Sequence, residues 1–185
     1  MNLDNKKLFC GIDASFSGTG VMVIDNECNI IDQRLISTKK SDDIYDIEKR
    51  MIFIVEDLSF FLTKYFHDLK LTLIEGISFG SKGEGADQLA ALNYFIRIFM
   101  VENNILFGAI PPTSLKKFTT GSGQCKKNLM LKEVYKRWNV DFSDDNLCDS
   151  YALSRLAQHN YNNSFMETGV VKKKERKKKK FEVVK

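Results

Sequence analysis

Several things missing from this 185-residue sequence limit what it can be. No run of about 18 or more apolar residues occurs, so no membrane-spanning helix is expected. Met1 to Lys7 is polar and charged and lacks the apolar centre of a secretory signal, so a cytoplasmic location is expected. Cys10, Cys28, Cys125 and Cys148 form no C-x-x-C pair, and His67 and His159 stand apart from them. A zinc site is therefore not expected. Without export the thiols stay reduced, and Cys10, inside an apolar run, reads as core. No internal repeat and no interdomain linker interrupts the chain.

What is present reads as one domain, long enough to bury a core. The composition, 43% hydrophobic and 28% charged, is ordinary for a globular protein. The net charge of +4 is unevenly spread. Val171 to Lys185 holds nine Lys or Arg against two Glu, and the rest holds 19 basic against 22 acidic residues. A mildly acidic body therefore carries a strongly basic tail. Such a tail cannot fold alone and is drawn to phosphate by counterion release. We place the domain at residues 1–160 and a flexible tail at residues 161–185.

Leu8 to Asp13, Gly20 to Ile24 and Ile30 to Ser37 are short apolar runs separated by turns, the first turn being Ser15-Phe16-Ser17-Gly18. Strands this close pair as an antiparallel meander, since a parallel crossover needs more chain. From Ile44 the period lengthens. Ile44, Ile47, Met51, Val55, Leu58, Leu62 and Tyr65 mark one helix face. Leu71 to Glu75 reads as a buried strand, followed by a loop with Gly76, Gly80, Gly83 and Gly85. Leu89, Leu92, Ile96 and Phe99 mark a second helix, and Ala90 and Ala91 allow close packing. Ile105 to Ile110 is a fifth strand, stopped by Pro111 and Pro112. A basic stretch from Thr113 to Lys127 leads to a helix over 128–137. A last helix starts at Asp144 or Asp145, with Asp144 as a fitting N-cap. The predicted order is β-β-β-α-β-α-β-α-α.

Four acids stand out. Asp13 and Glu75 each end an apolar run, while Asp145 and Asp149 lie four apart and share a helix face, with Asn146 close by. A carboxylate in a buried strand is costly unless it is paired or binds metal. Solvent access at a strand end is the plainer explanation for Glu75 alone. Taken together, hard oxygen ligands without a His or Cys cluster point to Mg²⁺ or Mn²⁺. Two such ions can clamp both oxygens of an in-line phosphodiester displacement.

These residues resemble a family. Gly11-Ile12-Asp13-Ala14-Ser15 with Thr19-Gly20-Val21 is similar to the first-strand motif of RuvC-type Holliday-junction resolvases. Glu75-Gly76-Ile77-Ser78-Phe79 resembles their second acidic motif. Pro112, Leu115-Lys116 and Gly121 to Lys127 resemble their basic segment, and Asp149 to Leu153 their final acidic helix. The likeness spans about residues 8 to 160 in order, and the tail and departures point to the bacteriophage branch, at work in a host-cell cytoplasm.

The resemblance implies an α/β, ribonuclease-H-like mixed five-stranded sheet flanked by helices. It implies a homodimer that nicks symmetric strands of four-way junctions and other branched DNA in recombination and repair. It also implies two Mg²⁺ ions per site, with Mn²⁺ substituting, and no small-molecule cofactor. Asp13, Glu75, Asp145 and Asp149 would be catalytic metal ligands. The family often has an acid or histidine where this chain has Asn146, so Asp145 is taken as ligand and Asn146 as a weaker neutral one. Phe79 would stack on or wedge apart bases, core packing being its other reading. Lys116 and Lys127 would meet phosphate, with Lys82, Lys117 and Lys126 nearby. The second helix, with Tyr94, Phe95 and Phe99, has apolar surface to spare and is a candidate dimer face.

Three other functions fit parts of the pattern. One is a less selective ribonuclease-H-like nuclease acting on flaps, forks or hybrids. Another is a catalytically inactive junction-binding protein. The third is an actin-like or sugar-kinase ATPase, whose phosphate loop resembles Asp13 to Gly20, but 185 residues leave no room for its second lobe.

Overall fold

The protein is described by a computed structural model covering residues 6–77 and 83–168. Three runs rich in β-branched and aliphatic residues form β1 (Leu8–Asp13), β2 (Thr19–Ile24) and β3 (Ile30–Ile36). They pair antiparallel, as their short connections require. Helix α1 (Asp46–Leu62) then crosses over to β4 (Leu69–Glu75), which pairs parallel to β1. Helix α2 (Glu84–Glu102) crosses over to β5 (Phe107–Ile110), parallel to β4. Three helices follow: α3 (Pro112–Thr120), α4 (Lys127–Trp138) and α5 (Asp145–Thr168). The sheet order is β3-β2-β1-β4-β5, the mixed five-stranded sheet expected.

Helices cover both faces. On one, Cys10, Ile12, Val21 and Ile74 pack with Ile54 and Leu58 of α1 and Leu92 and Ile96 of α2. On the other, Phe9, Met22 and Leu73 pack with Leu115 of α3, Val134 of α4 and Tyr151 and Leu153 of α5. β1 lies at the centre, buried along its whole length. That is why its sequence is a continuous apolar run rather than an alternating one. No helix among the described residues is long and apolar enough to cross a membrane.

The structure corrects four expectations. Thr113 to Lys127 is not one irregular stretch. Pro112 opens α3, a first-turn position where its missing N–H is no loss, and Leu115 and Thr119 turn inward. Ile44 lies before α1 and is exposed, while Ile54 and Phe61 join the buried face. Phe99 is buried in the core, so it is not part of a free α2 surface. Helix α5 runs to Thr168, past the point where the tail was expected to begin, and Tyr161 packs on Phe9 with ring centroids 5.5 Å apart. The basic run from Val171 to Lys185 lies outside the described residues.

Candidate active site

Strand register brings Asp13 and Glu75 side by side. β1 and β4 run parallel with Ile12 opposite Ile74, so their last residues, Asp13 and Glu75, occupy the next rung at the same sheet edge. Alternation puts Asp13 on the face of Phe9 and Gly11, and Glu75 on the face of Leu71 and Leu73. Phe9, Leu71 and Leu73 all pack toward α3–α5, so both carboxylates lie on the α5 side. Asp13 is 8% exposed, and Glu75 is half-buried.

Two glycines let α5 come down onto that end of the sheet. A Cβ at Gly11 would lie 2.0 Å from the Ser150 carbonyl oxygen, and one at Gly20 would lie 2.2 Å from that of Asn146. No side chain fits at either place. Gly20 pairs with Asp13 across the β1–β2 ladder, so the first turn of α5 sits level with Asp13. Asp149 is one helical turn before Leu153, whose Cβ abuts Gly11, and so lies over β1 one turn nearer its end. Asp145 is a further turn on, and Asn146 turns toward Gly18. Asp144 caps the helix as expected, its Oδ1 accepting the N–H groups of Asn146 at 2.9 Å and Leu147 at 3.0 Å.

The site is electronegative and its first loop is held firmly. Burial pushes the Cys148 thiol up to about 12, and the charges of Asp149 and then Asp145 add to the effect. After Asp13, the Ser15 N–H donates to Thr19 Oγ1, whose hydroxyl donates back to the Ser15 carbonyl at 2.7 Å. Arg50 of α1 lies over the Phe16 ring and donates to Thr38 Oγ1, and Thr38 donates to the Phe16 carbonyl. Arg50 also pairs with Asp46, so the helix start and the loop are tied together.

No protein-family profile matches the chain. It is 27% identical over 158 residues to the crossover junction endodeoxyribonuclease RuvC of Brachyspira hyodysenteriae, covering 84% of this chain and 95% of that protein. The RuvC structure of Thermus thermophilus superposes with a TM-score of 0.65 at 16% identity, over 88% of this chain and 96% of that one. The chain has the RuvC-type, ribonuclease-H-like fold. T. thermophilus RuvC in complex with a Holliday junction substrate matches likewise, with a TM-score of 0.64 at 12% identity over 86% and 96% of the two chains.

In this chain of RuvC-type fold the four carboxylates share one end of the sheet without forming a closed ligand set. Among the described residues, no three His, Cys, Asp or Glu side chains are close enough to hold an ion between them. The basic candidates stand on the same side of the sheet. Half-buried Lys116 and exposed Lys117 lie on α3, whose first residue, Pro112, lines a cleft with Glu75. Exposed Lys126 precedes α4, and Lys127 begins it, although its side chain lies outside the described ones. Phe79 and Lys82 lie outside the described residues.

Reading the RuvC-like motifs missed one neighbour of Glu75. Asn93 of α2 is buried, and its Nδ2 donates to the Glu75 carbonyl oxygen at 2.7 Å. The signal was available, because Asn93 is a polar residue on the helix stripe marked by Leu89, Leu92 and Ile96.

Proposed function

We propose that this protein is a RuvC-type endonuclease that resolves four-way DNA junctions by divalent-cation-dependent phosphodiester hydrolysis. The observation that carries this reading is the pair Asp13 and Glu75 on adjacent parallel strand ends, beneath the acidic first turns of α5. The donor set suits a hard cation, since it offers carboxylate oxygens and no imidazole. Asp13, Glu75 and Asp149 would hold Mg²⁺, or Mn²⁺ in its place, with Asp145 as the fourth ligand and Asn146 the weaker alternative. Like charges disfavour one another, so these carboxylates gather fully only around a cation. Two ions per site are part of the proposal, and when bound they supply an acidified water and a counter-charge for the leaving oxygen.

The remaining work falls to the chain. Lys116, Lys117, Lys126 and Lys127 draw phosphate toward a rim that the acids alone would repel. Asp144 and the glycine floor keep Asp149 in position. Phe79 stacks on bases at the branch point. The protein acts as a homodimer through α1 and α2, where Ile52, Tyr94 and Ile98 line an apolar groove of 350 Å³.

The test is cleavage of synthetic four-way, three-way and linear DNA, with Mg²⁺ and with chelator. Paired symmetric nicks in the four-way substrate and no cutting of the linear one are expected, and the nicks should vanish on chelation. A chelator-insensitive rate overturns the metal mechanism. Equal cutting of all three substrates reassigns the protein as a less selective nuclease.

A further inference from the structure

Arg97 of α2 differs from the other arginines among the described residues. Arg34 and Arg50 donate to Asp57 and Asp46, Arg137 donates to the Phe118 and Thr119 carbonyls, and Arg155 donates to the Tyr151 hydroxyl. Arg97 donates to no described residue, and no described carboxylate pairs with it. Its Nε is buried without an acceptor, whereas the two Nη groups stay open to solvent. The guanidinium carbon lies 4.8 Å from the centroid of the exposed Tyr94 ring. Stacking on an aromatic face fixes the plane of the fork, and a fixed fork is the form in which arginine takes hold of phosphate through two parallel bonds.

The surroundings indicate what the open side of this fork meets. Arg97 and Tyr94 line a cavity of 310 Å³ with Gly76, Ile77, Ala109 and Pro111, and Arg97 is the only charged residue among them. A cation with no acid beside it repels metal ions and attracts an anion. Gly76 and Ile77 directly follow Glu75 and also line the cleft beside it, while Tyr94 also lines the α1–α2 groove. The cavity thus adjoins the proposed catalytic site on one side and the proposed dimer face on the other. A lone cation next to apolar walls matches the sugar-phosphate backbone of DNA, which carries a charged phosphodiester beside a largely apolar deoxyribose ring.

We propose that the Nη groups of Arg97, stacked on Tyr94, bind a non-scissile backbone phosphate of the DNA strand being cut, with the neighbouring deoxyribose packed on Ile77 and Pro111. The inference rests on the nuclease reading and adds a phosphate subsite to it, on a different element from the lysines of α3 and α4. Arg97 is a binding residue in this scheme. It holds the strand between the carboxylates and the dimer face and touches no reacting atom.

The experiment measures kcat and KM of the full chain on four-way junctions, each carrying one uncharged methylphosphonate at a different position around the cut. Arg97→Gln is expected to raise KM about tenfold on the unmodified junction with kcat unchanged, the pattern of lost ground-state binding. One methylphosphonate position should lower wild-type kcat/KM by a similar factor and cost Arg97→Gln nothing further, because that contact is already gone. An unchanged KM in Arg97→Gln overturns the proposal, and so do equal methylphosphonate penalties in both proteins at every position. Light scattering should give the same assembly for both; dissociation of Arg97→Gln alone would make Arg97 a subunit contact and overturn the proposal. If Arg97→Gln does not fold, Arg97→Lys decides. Its penalty at the sensitive position should shrink, since a point charge replaces a two-pronged contact, and an undiminished penalty overturns the proposal. A wild type that cuts no junction overturns the nuclease reading instead, and this inference with it.

Discussion

Asp13, the first carboxylate of the proposed site, is costly to the fold. It ends a strand that is otherwise all apolar and is itself 8% exposed. Replacing it with Asn keeps the shape and removes the charge. Asp13→Asn is expected to abolish cleavage while leaving junction binding within a few-fold, by cleavage and gel-shift assays side by side; a fully active variant would contradict the site assignment. Asp46 makes a different contribution. The Ser41 hydroxyl, aided by the Ser41 N–H and Arg50, outweighs burial and holds its carboxyl below the ordinary 3.8. A depressed acid stabilises the fold above its ordinary pKa and loses that contribution as pH falls through the folded value. The urea midpoint should therefore drop below about pH 4. Asp46→Asn should be less stable at neutral pH and show a shallower acid loss.

At the scale of elements, the docking of α5 on β1 and β2 decides the site. Its acids reach the strand ends because Gly11 and Gly20 remove two side chains from the interface. A Cβ at Gly11 meets helix backbone, which cannot swing aside as a flexible side chain can. Gly11→Ala is expected to cost about 1–3 kcal/mol in urea unfolding. It should lower kcat by more than the lost stability explains, because the helix carrying Asp149 must shift. The β1–β2 loop is secured from the other face by Arg50. Arg50→Met should cost about 1.5–3 kcal/mol, the range for hydrogen bonds to charged groups, measured by the same unfolding. Element order was mostly legible because short continuous apolar runs alternate along the chain with segments of 3.6-residue apolar period. Helix α3 was not legible, because its only start signal, Pro112, also ends the strand before it.

For the whole molecule, charge is divided between a body of 19 basic and 22 acidic residues and a tail that carries nine Lys or Arg against two Glu. Truncation after Thr168 should weaken junction binding and flatten its salt dependence, by about 0.9 in log–log slope for each phosphate that the tail neutralises. An unchanged slope would remove the tail from DNA binding. Light scattering at micromolar concentration should give a dimer for the wild type and a monomer for Ile98→Glu, since Ile98 is 52% exposed in the α1–α2 groove.

The sequence by itself determined the five strands and every helix but α3, the acids Asp13, Glu75, Asp145 and Asp149 as candidates, and the basic segment around Lys116 and Lys126. Each is a local signal: an apolar period, an acid breaking it, a turn residue. The tertiary structure alone decided what those residues meet. Gly11 looks like any strand glycine until Ser150 is packed against it, and Asn93 like any helix asparagine until its amide reaches the Glu75 carbonyl. Such contacts join residues far apart in the chain, and no local pattern encodes which of the many possible partners a folded sheet and helix will bring together.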